Sequence, residues 1–226
     1  MESTYESGDV YPVSEDTELL ISGICDDIGS ILTLVESTKR CSLLEIGCGS
    51  GQVLYETVSH LNKNNIKCIA YASDINSSAS TATKSRLKSL CFDVLTADLV
   101  SCWSASHVQS VLNGFDVIIF NPPYVPTDRD EYENAITQKD ISASWAGGKF
   151  GREVLQRLIP NLPTLMAEKS LLYLIVLYEN DPKFITQLLQ NVGFHSPKYL
   201  DSMVTGNEKL FVMRFQFQRE ENVVNQ

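Results

Sequence analysis

Short, almost wholly apolar runs separated by amphipathic stretches constrain this chain more than any other feature. "CSLLEI" (41–46), "KCIAYAS" (67–73), "FDVLTA" (92–97), "FDVIIF" (115–120) and "SLLYLIVLY" (170–178) read as strands. Their near-continuous apolarity is that of a parallel sheet covered on both faces, not of a sheet with one wet side. Helical periodicity occupies the intervals at 52–63, 76–90, 151–168 and 182–191, with Pro182 suited to a first helical turn. Strand, helix, strand, helix predicts right-handed crossovers and a doubly wound α/β sheet. The last part differs. "FHSPKYLDS" and "KLFVMRFQF", joined by "MVTGNE", predict an antiparallel hairpin added to the parallel sheet. Ahead of the first strand, "SEDTELLISGICDDI" predicts a helix capped by Ser14 or Asp16. A chain of 226 residues suits one large domain, 1–226, with 1–12 and 218–226 expected to be flexible and the tail "REENVVNQ" to fray.

Composition removes several function classes. Net charge is −10, from 28 acidic and 18 basic residues, a poor surface for neutralising phosphates, so nucleic acid is not the expected partner. No run reaches the length of a membrane span, and "MESTYESGDVYP" has neither a basic nor an apolar leader region, which predicts a cytoplasmic protein, with the nucleus also open. The six cysteines form no C-x-x-C pair and several sit inside apolar runs, as reduced buried thiols do; with three scattered histidines they give no metal-ligand spacing, and no metal is expected in this chain.

The stretch "LLEIGCGSGQVLY" (43–55) follows the first strand and opens a helix. Gly47, Gly49 and Gly51 allow a tight turn and a close backbone approach to a ligand. The spacing is G-x-G-x-G, Glu45 precedes it, and the lysine of a phosphate loop is missing. An acid at that mouth repels a pyrophosphate and suits a cation, and S-adenosylmethionine carries a sulfonium and an ammonium. Asp74 ends the second strand, where an acid commonly hydrogen-bonds ribose hydroxyls. Asp98, in "TADLV", is placed to accept from an adenine amino group with the Leu99 backbone beside the ring. Any one of these acids alone reads as a cap or loop residue. As a set they converge on the crevice at the carboxyl ends of the strands.

The fourth strand delivers "NPPY" to the same edge. Two prolines remove N–H groups and force extended geometry, so nearby carbonyls are not consumed locally. The Asn121 side-chain oxygen and the Pro122 carbonyl are then candidates to accept from one planar –NH2, with Tyr124 against its flat face. That is what methylation of an amide or arylamine nitrogen requires. The lone pair is delocalised, acceptors on the hydrogens raise its electron density, and no strong base is needed before attack.

"LEIGCGSG", "SDIN", "ADLV" and "FNPPYV" together resemble class I S-adenosylmethionine-dependent methyltransferases acting on amino groups of amides or bases. "VYPVSEDTELL" (10–20), "SWAGGKFGREVLQRLIP" (144–160) and "LLYLIVLYENDP" (171–182) narrow the resemblance to HemK-type glutamine methyltransferases of the short archaeal and eukaryotic branch, over about residues 10–217. The resemblance implies a Rossmann-like seven-stranded sheet with strand order 3-2-1-4-5-7-6. It implies S-adenosylmethionine as cofactor, held by Thr17, Glu45, Gly47, Gly49, Gly51, Asp74, Ile75, Asp98, Leu99 and Asn121. It implies a catalytic group of Asn121, Pro122, Pro123 and Tyr124, with Trp145 joining Asn121, Pro122 and Tyr124 against the substrate. One departure is visible: Tyr11-Pro12-Val13-Ser14 stands where the family has Tyr-Glu-Pro-Ala.

The same resemblance implies a small zinc-binding activator subunit as partner, and the glutamine of the Gly-Gly-Gln motif in a class I translation termination factor as substrate, presented with or without its GTPase. Residues 125–150 make a long excursion between strand and helix and read as a lid loop over the substrate. Strand 92–97 falls at a sheet edge, which would need covering. Methylation of an adenine amine or a lysine by the same site, and a non-catalytic cofactor-binding subunit, are the alternative readings. Net charge opposes nucleic acid, a lysine would need deprotonation and a pocket that N-P-P-Y does not specify, and the intact motifs oppose the non-catalytic reading.

Overall fold

A computed structural model describes residues 9–219. The terminal segments expected to be flexible lie mostly outside them. Elements follow the chain as α1 (Glu15–Asp26), α2 (Ile28–Leu34), β1 (Arg40–Ile46), α3 (Gln52–Lys63), β2 (Lys67–Asp74), α4 (Ser77–Leu87) and β3 (Phe92–Thr96). Then come α5 (Ala105–Leu112), β4 (Phe115–Phe120), α6 (Arg129–Gln138), α7 (Glu153–Leu158), α8 (Leu162–Leu165), β5 (Met166–Leu177), α9 (Pro182–Gln190), β6 (Phe194–Thr205) and β7 (Glu208–Gln218). The strands form one seven-stranded sheet in the order β3-β2-β1-β4-β5-β7-β6, the order expected. The first five are parallel; β7 runs antiparallel to both β5 and β6.

Both faces of the central strands β1, β4 and β5 are buried, which is why they read as continuous apolar runs. On β4, Val117 and Ile119 enter the core under α1, α2 and α3, while Ile118 and Phe120 enter the core under α5, α7 and α8. On β5, Leu171, Tyr173 and Ile175 face the first core and Leu172, Leu174 and Val176 the second. Burying one such leucine contributes about 2 kcal/mol. The helix α1 is also tied by charge: Asp27, just past its end, is buried and takes the Tyr173 hydroxyl at 3.0 Å and the Lys198 ammonium at 3.0 Å.

Three expectations need correction. The helix read across 151–168 ends at Leu158, because Pro160 and Pro163 cannot continue its hydrogen-bond ladder. Short turns and α8 replace the rest, and β5 begins at Met166 rather than at 170. The excursion 125–150 is not an irregular loop: it carries the ten-residue helix α6, N-capped by Asp128, whose side chain accepts from the Glu131 N–H at 2.9 Å. The short helices α2 and α5 had no counterpart in the sequence reading. At the other edge, β6 bears Pro197 and two register shifts, features that blunt an exposed strand.

Candidate active site

The strand order reverses between β1 and β4, and the crevice above their carboxyl ends is where open parallel sheets bind ligands. A cavity occupies that position. Thr17, Glu45, Gly47, Gly49, Asp74, Ile75, Asp98, Leu99, Asn121 and Pro123 all line it. Gly51, Pro122, Tyr124 and Trp145 do not, and Pro122 is buried.

The glycine loop is held by Asp74. Gly47, Gly49 and Gly51 have φ of 65°, 50° and 72°, a region that favours glycine. A Cβ on Gly49 would meet nothing within 4 Å, so the loop presents bare backbone to the cavity; one on Gly51 would stand 2.9 Å from Thr83. Gly51 therefore serves the packing of α3 on α4. Asp74 accepts from the Gly49 N–H and the Asn76 N–H, each at 2.9 Å. Burial pushes the Asp74 carboxyl up, and these two N–H groups draw it back toward the ionised form. Each oxygen keeps a further lone pair for a ligand hydroxyl. Glu45 is buried with Oε2 unpartnered, and burial raises its carboxyl well above the usual range. A cation beside it would favour the charged form. Bare glycine backbone, a strand-end carboxylate and an orphaned buried acid fit a cationic nucleoside such as S-adenosylmethionine.

Asp98 differs from expectation in its company. It pairs with Arg157 of α7, a residue the sequence reading passed over and which also lines the cavity. Leu99 takes φ of 50° and its carbonyl accepts from the Ser73 hydroxyl at 2.7 Å, which fixes the backbone beside the cavity.

The amide-binding end centres on a residue that sequence reasoning missed. Asp16 lies in the E-D-T signature, one position before the Thr17 singled out there. Ser14 occupies the N-cap position of α1, and Asp16 in its first turn is buried. Its Oδ1 accepts from the Thr17 N–H at 2.7 Å and from the Ser14 hydroxyl. Its Oδ2 accepts from Asn121 Nδ2 at 2.9 Å and from the Tyr124 hydroxyl at 3.2 Å. An ionised carboxylate only accepts, so it fixes the Asn121 amide with nitrogen toward Asp16. Asn121 Oδ1 is left buried and without a partner. Tyr124 is kept a neutral phenol, its pKa raised by burial first and by the Asp16 charge second. The earlier proline does not displace the signature: Tyr11, Pro12 and Thr17 line the cavity.

The W-A-G-G segment lies against the N-P-P-Y backbone. Val125 and Ala146 form a parallel bridge, with the Val125 N–H donating to the Trp145 carbonyl at 3.1 Å and the Gly147 N–H to the Val125 carbonyl at 2.9 Å. A Cβ on Gly147 would stand 2.6 Å from the Pro123 carbonyl oxygen, and one on Gly151 1.9 Å from that of Tyr124. The glycines are there for contact between two backbones. Trp145 is half-buried, its indole N–H reaching Glu131 of α6 at 3.3 Å; it ties the excursion together and does not face the cavity.

No family model matches the chain. Individual proteins do. Human methyltransferase HEMK2 is 32% identical over 209 residues, covering 92% of this chain and 89% of the relative. The eRF1 methyltransferase catalytic subunit mtq2 of Schizosaccharomyces pombe is 31% identical over 214 residues, covering 92% and 90%. Among solved structures, the E. cuniculi Mtq2–Trm112 complex, described as responsible for methylation of the eRF1 termination factor, superposes with a TM-score of 0.62 at 22% identity, covering 93% of this chain and 99% of the matched one. With near-complete coverage in both directions and the glycine loop, strand-end acids and N-P-P-Y loop around one cavity, the chain belongs to the HEMK2/Mtq2 branch of the HemK-type glutamine methyltransferases, class I enzymes whose methyl donor is S-adenosylmethionine.

Proposed function

We propose that this chain methylates the side-chain amide of the glutamine in the Gly-Gly-Gln motif of a class I peptide chain release factor. The observation that carries the reading is Asn121. Its nitrogen is committed to Asp16 while its Oδ1 is buried and unpartnered, an acceptor waiting for a donor. A glutamine –NH2 is such a donor. The fission-yeast relative's name and the description of the E. cuniculi complex both point to eRF1, which supports this class of substrate.

Bound S-adenosylmethionine supplies the electrophilic methyl group. The chain's part is to hold and aim the nitrogen. Asn121 Oδ1 accepts one N–H, which raises electron density on a nitrogen whose lone pair is delocalised. The Tyr124 ring limits rotation of the flat amide, itself set by the bond to Asp16. The proton can leave after the new N–C bond makes it acidic, so no strong base is required. The exposed acids of the excursion, Asp128, Asp130, Glu131, Glu133 and Asp140, suit a basic surface on a protein substrate, and Asp140 lines the cavity. In the cell the reaction belongs in the cytoplasm, where termination factors act.

Transfer of labelled methyl to a release factor tests the reading. Label should depend on the Gly-Gly-Gln glutamine; label that persists after Gln→Ala in the substrate refutes it, as does label on nucleic acid or lysine alone.

A small activator subunit, zinc-binding in the family, is proposed to cover the β3 edge. The strand is short and lies at the end of the sheet, with Asp93 and Thr96 exposed and Phe92 and Leu95 half-buried. Co-expression should raise solubility and cofactor affinity. A chain that is soluble, monomeric and equally competent alone overturns this.

A further inference from the structure

The E-N-D-P turn after β5 places a side chain against the backbone of Tyr124, whose hydroxyl is held by Asp16. Asn180 is 2% exposed. An asparagine amide offers one acceptor oxygen and two N–H donors, and here all are used. Oδ1 accepts from the Leu177 N–H at 3.1 Å, which closes the turn at the end of β5. Nδ2 donates to the Tyr124 carbonyl at 2.9 Å and to the Phe150 carbonyl at 2.9 Å. The Asn180 backbone carbonyl in turn accepts from Arg152 Nη1 at 2.9 Å. That guanidinium lies over the Phe150 ring, 5.1 Å from its centroid, and over Phe184 of α9 at 4.1 Å.

One side chain thus joins three segments: the end of β5, the N-P-P-Y loop and the base of the excursion. Two of them are otherwise expensive to hold. Phe150 takes a left-handed φ of 62°, unusual for a bulky residue. Tyr124 follows two prolines, which contribute no N–H groups to anchor the loop. Aspartate would keep the acceptor and lose both donors. Alanine would leave two carbonyls without a partner.

We infer that Asn180 is a positioning residue for methyl transfer: it sets the height of Tyr124, and through it the amide clamp formed with Asn121 and Asp16, and it locks the base of the excursion to that clamp. The inference rests on the reading that Asn121 and Tyr124 hold the substrate amide.

The decisive experiment is hydrogen–deuterium exchange on the full chain carrying Asn180→Asp, with kinetics beside it. Exchange is expected to quicken in 121–127 and 147–153 while β1 to β4 keep their protection. With a release factor as substrate, turnover should fall on the order of 100-fold, the scale of a misplaced reacting group, with cofactor affinity unchanged. Should Asn180→Asp fail to fold, Gly151→Ala disturbs the same junction from the other side, since its Cβ would stand 2.5 Å from Asn180 Nδ2, and should give the same pattern. Wild-type exchange in both segments overturns the inference, as do exchange raised across the whole sheet and a turnover loss matched by lost cofactor affinity. Failure of the underlying reading is separate: it shows as absent glutamine-dependent label with the unaltered chain, and the exchange pattern still decides whether Asn180 holds the loop.

Discussion

Asn121→Ala is expected to lower methyl transfer by on the order of 10²–10³-fold while leaving most cofactor affinity intact, the scale seen when one preorganised polar group at a reacting centre is removed. The change removes the unpartnered Oδ1 and also frees Asp16 from one of its donors. The glycine loop and Asp74 stay in place because they are held by their own bonds. Asp74→Ala should behave in the opposite order. It frees the Gly49 N–H and removes the carboxylate at the end of β2, so calorimetric cofactor affinity falls first and transfer follows from under-saturation. Single-turnover rates at saturating cofactor separate the two. Near-normal transfer by Asn121→Ala would refute the mechanism.

Asp16→Asn is the second large effect. It changes no volume, yet a carboxylate accepts at both oxygens and an amide at only one. The new side chain can satisfy either the pair on Oδ2, Asn121 and Tyr124, or the Thr17 N–H on Oδ1, but not both. If its nitrogen meets Asn121, that amide is pushed to turn over and present N–H groups where the substrate needs an acceptor. One frustrated buried hydrogen bond costs about 2 kcal/mol, so turnover should drop roughly 30-fold. Cofactor affinity should fall less, because Glu45 and Asp74 do not touch Asp16. The check is kcat with both substrates saturating. A variant with unchanged kcat would show that Asn121 orientation does not depend on Asp16.

The sheet was legible because its strands carry their burial in composition: β4 begins and ends where the apolar run does. The hairpin was legible from the Gly206-Asn207 turn between two strand-like runs. The helix α6 was not, since "RDEYENAITQ" is mostly polar and buries only Tyr132 and Ala135. Pro160 and Pro163 were signals within reach that apolar periodicity outweighed. At the site, the strand-end acids and the glycine loop follow topology and so could be placed in advance. Asp16 and Asn180 could not, because their partners lie 105 and 56 residues away and only folding reveals which polar atom meets which. Trp145 shows the converse: a conspicuous residue in a specific motif reaches Glu131 rather than the cavity.

The bridge between Val125 and Ala146 has a consequence for how such a protein can diversify. It pins the two ends of residues 126–145 together, as a drawn neck closes a bag. Once the neck is fixed, the contents can change length cheaply: doubling a closed segment adds only about 0.6 kcal/mol of closure entropy. Of the closed segment, Ala135, Ile136, Asp140, Ile141, Ala143 and Ser144 face the cavity, while its other charged positions face outward. New targets can therefore be sampled by rewriting its exposed positions, 128–131, 133, 134 and 137–139, without moving Asn121.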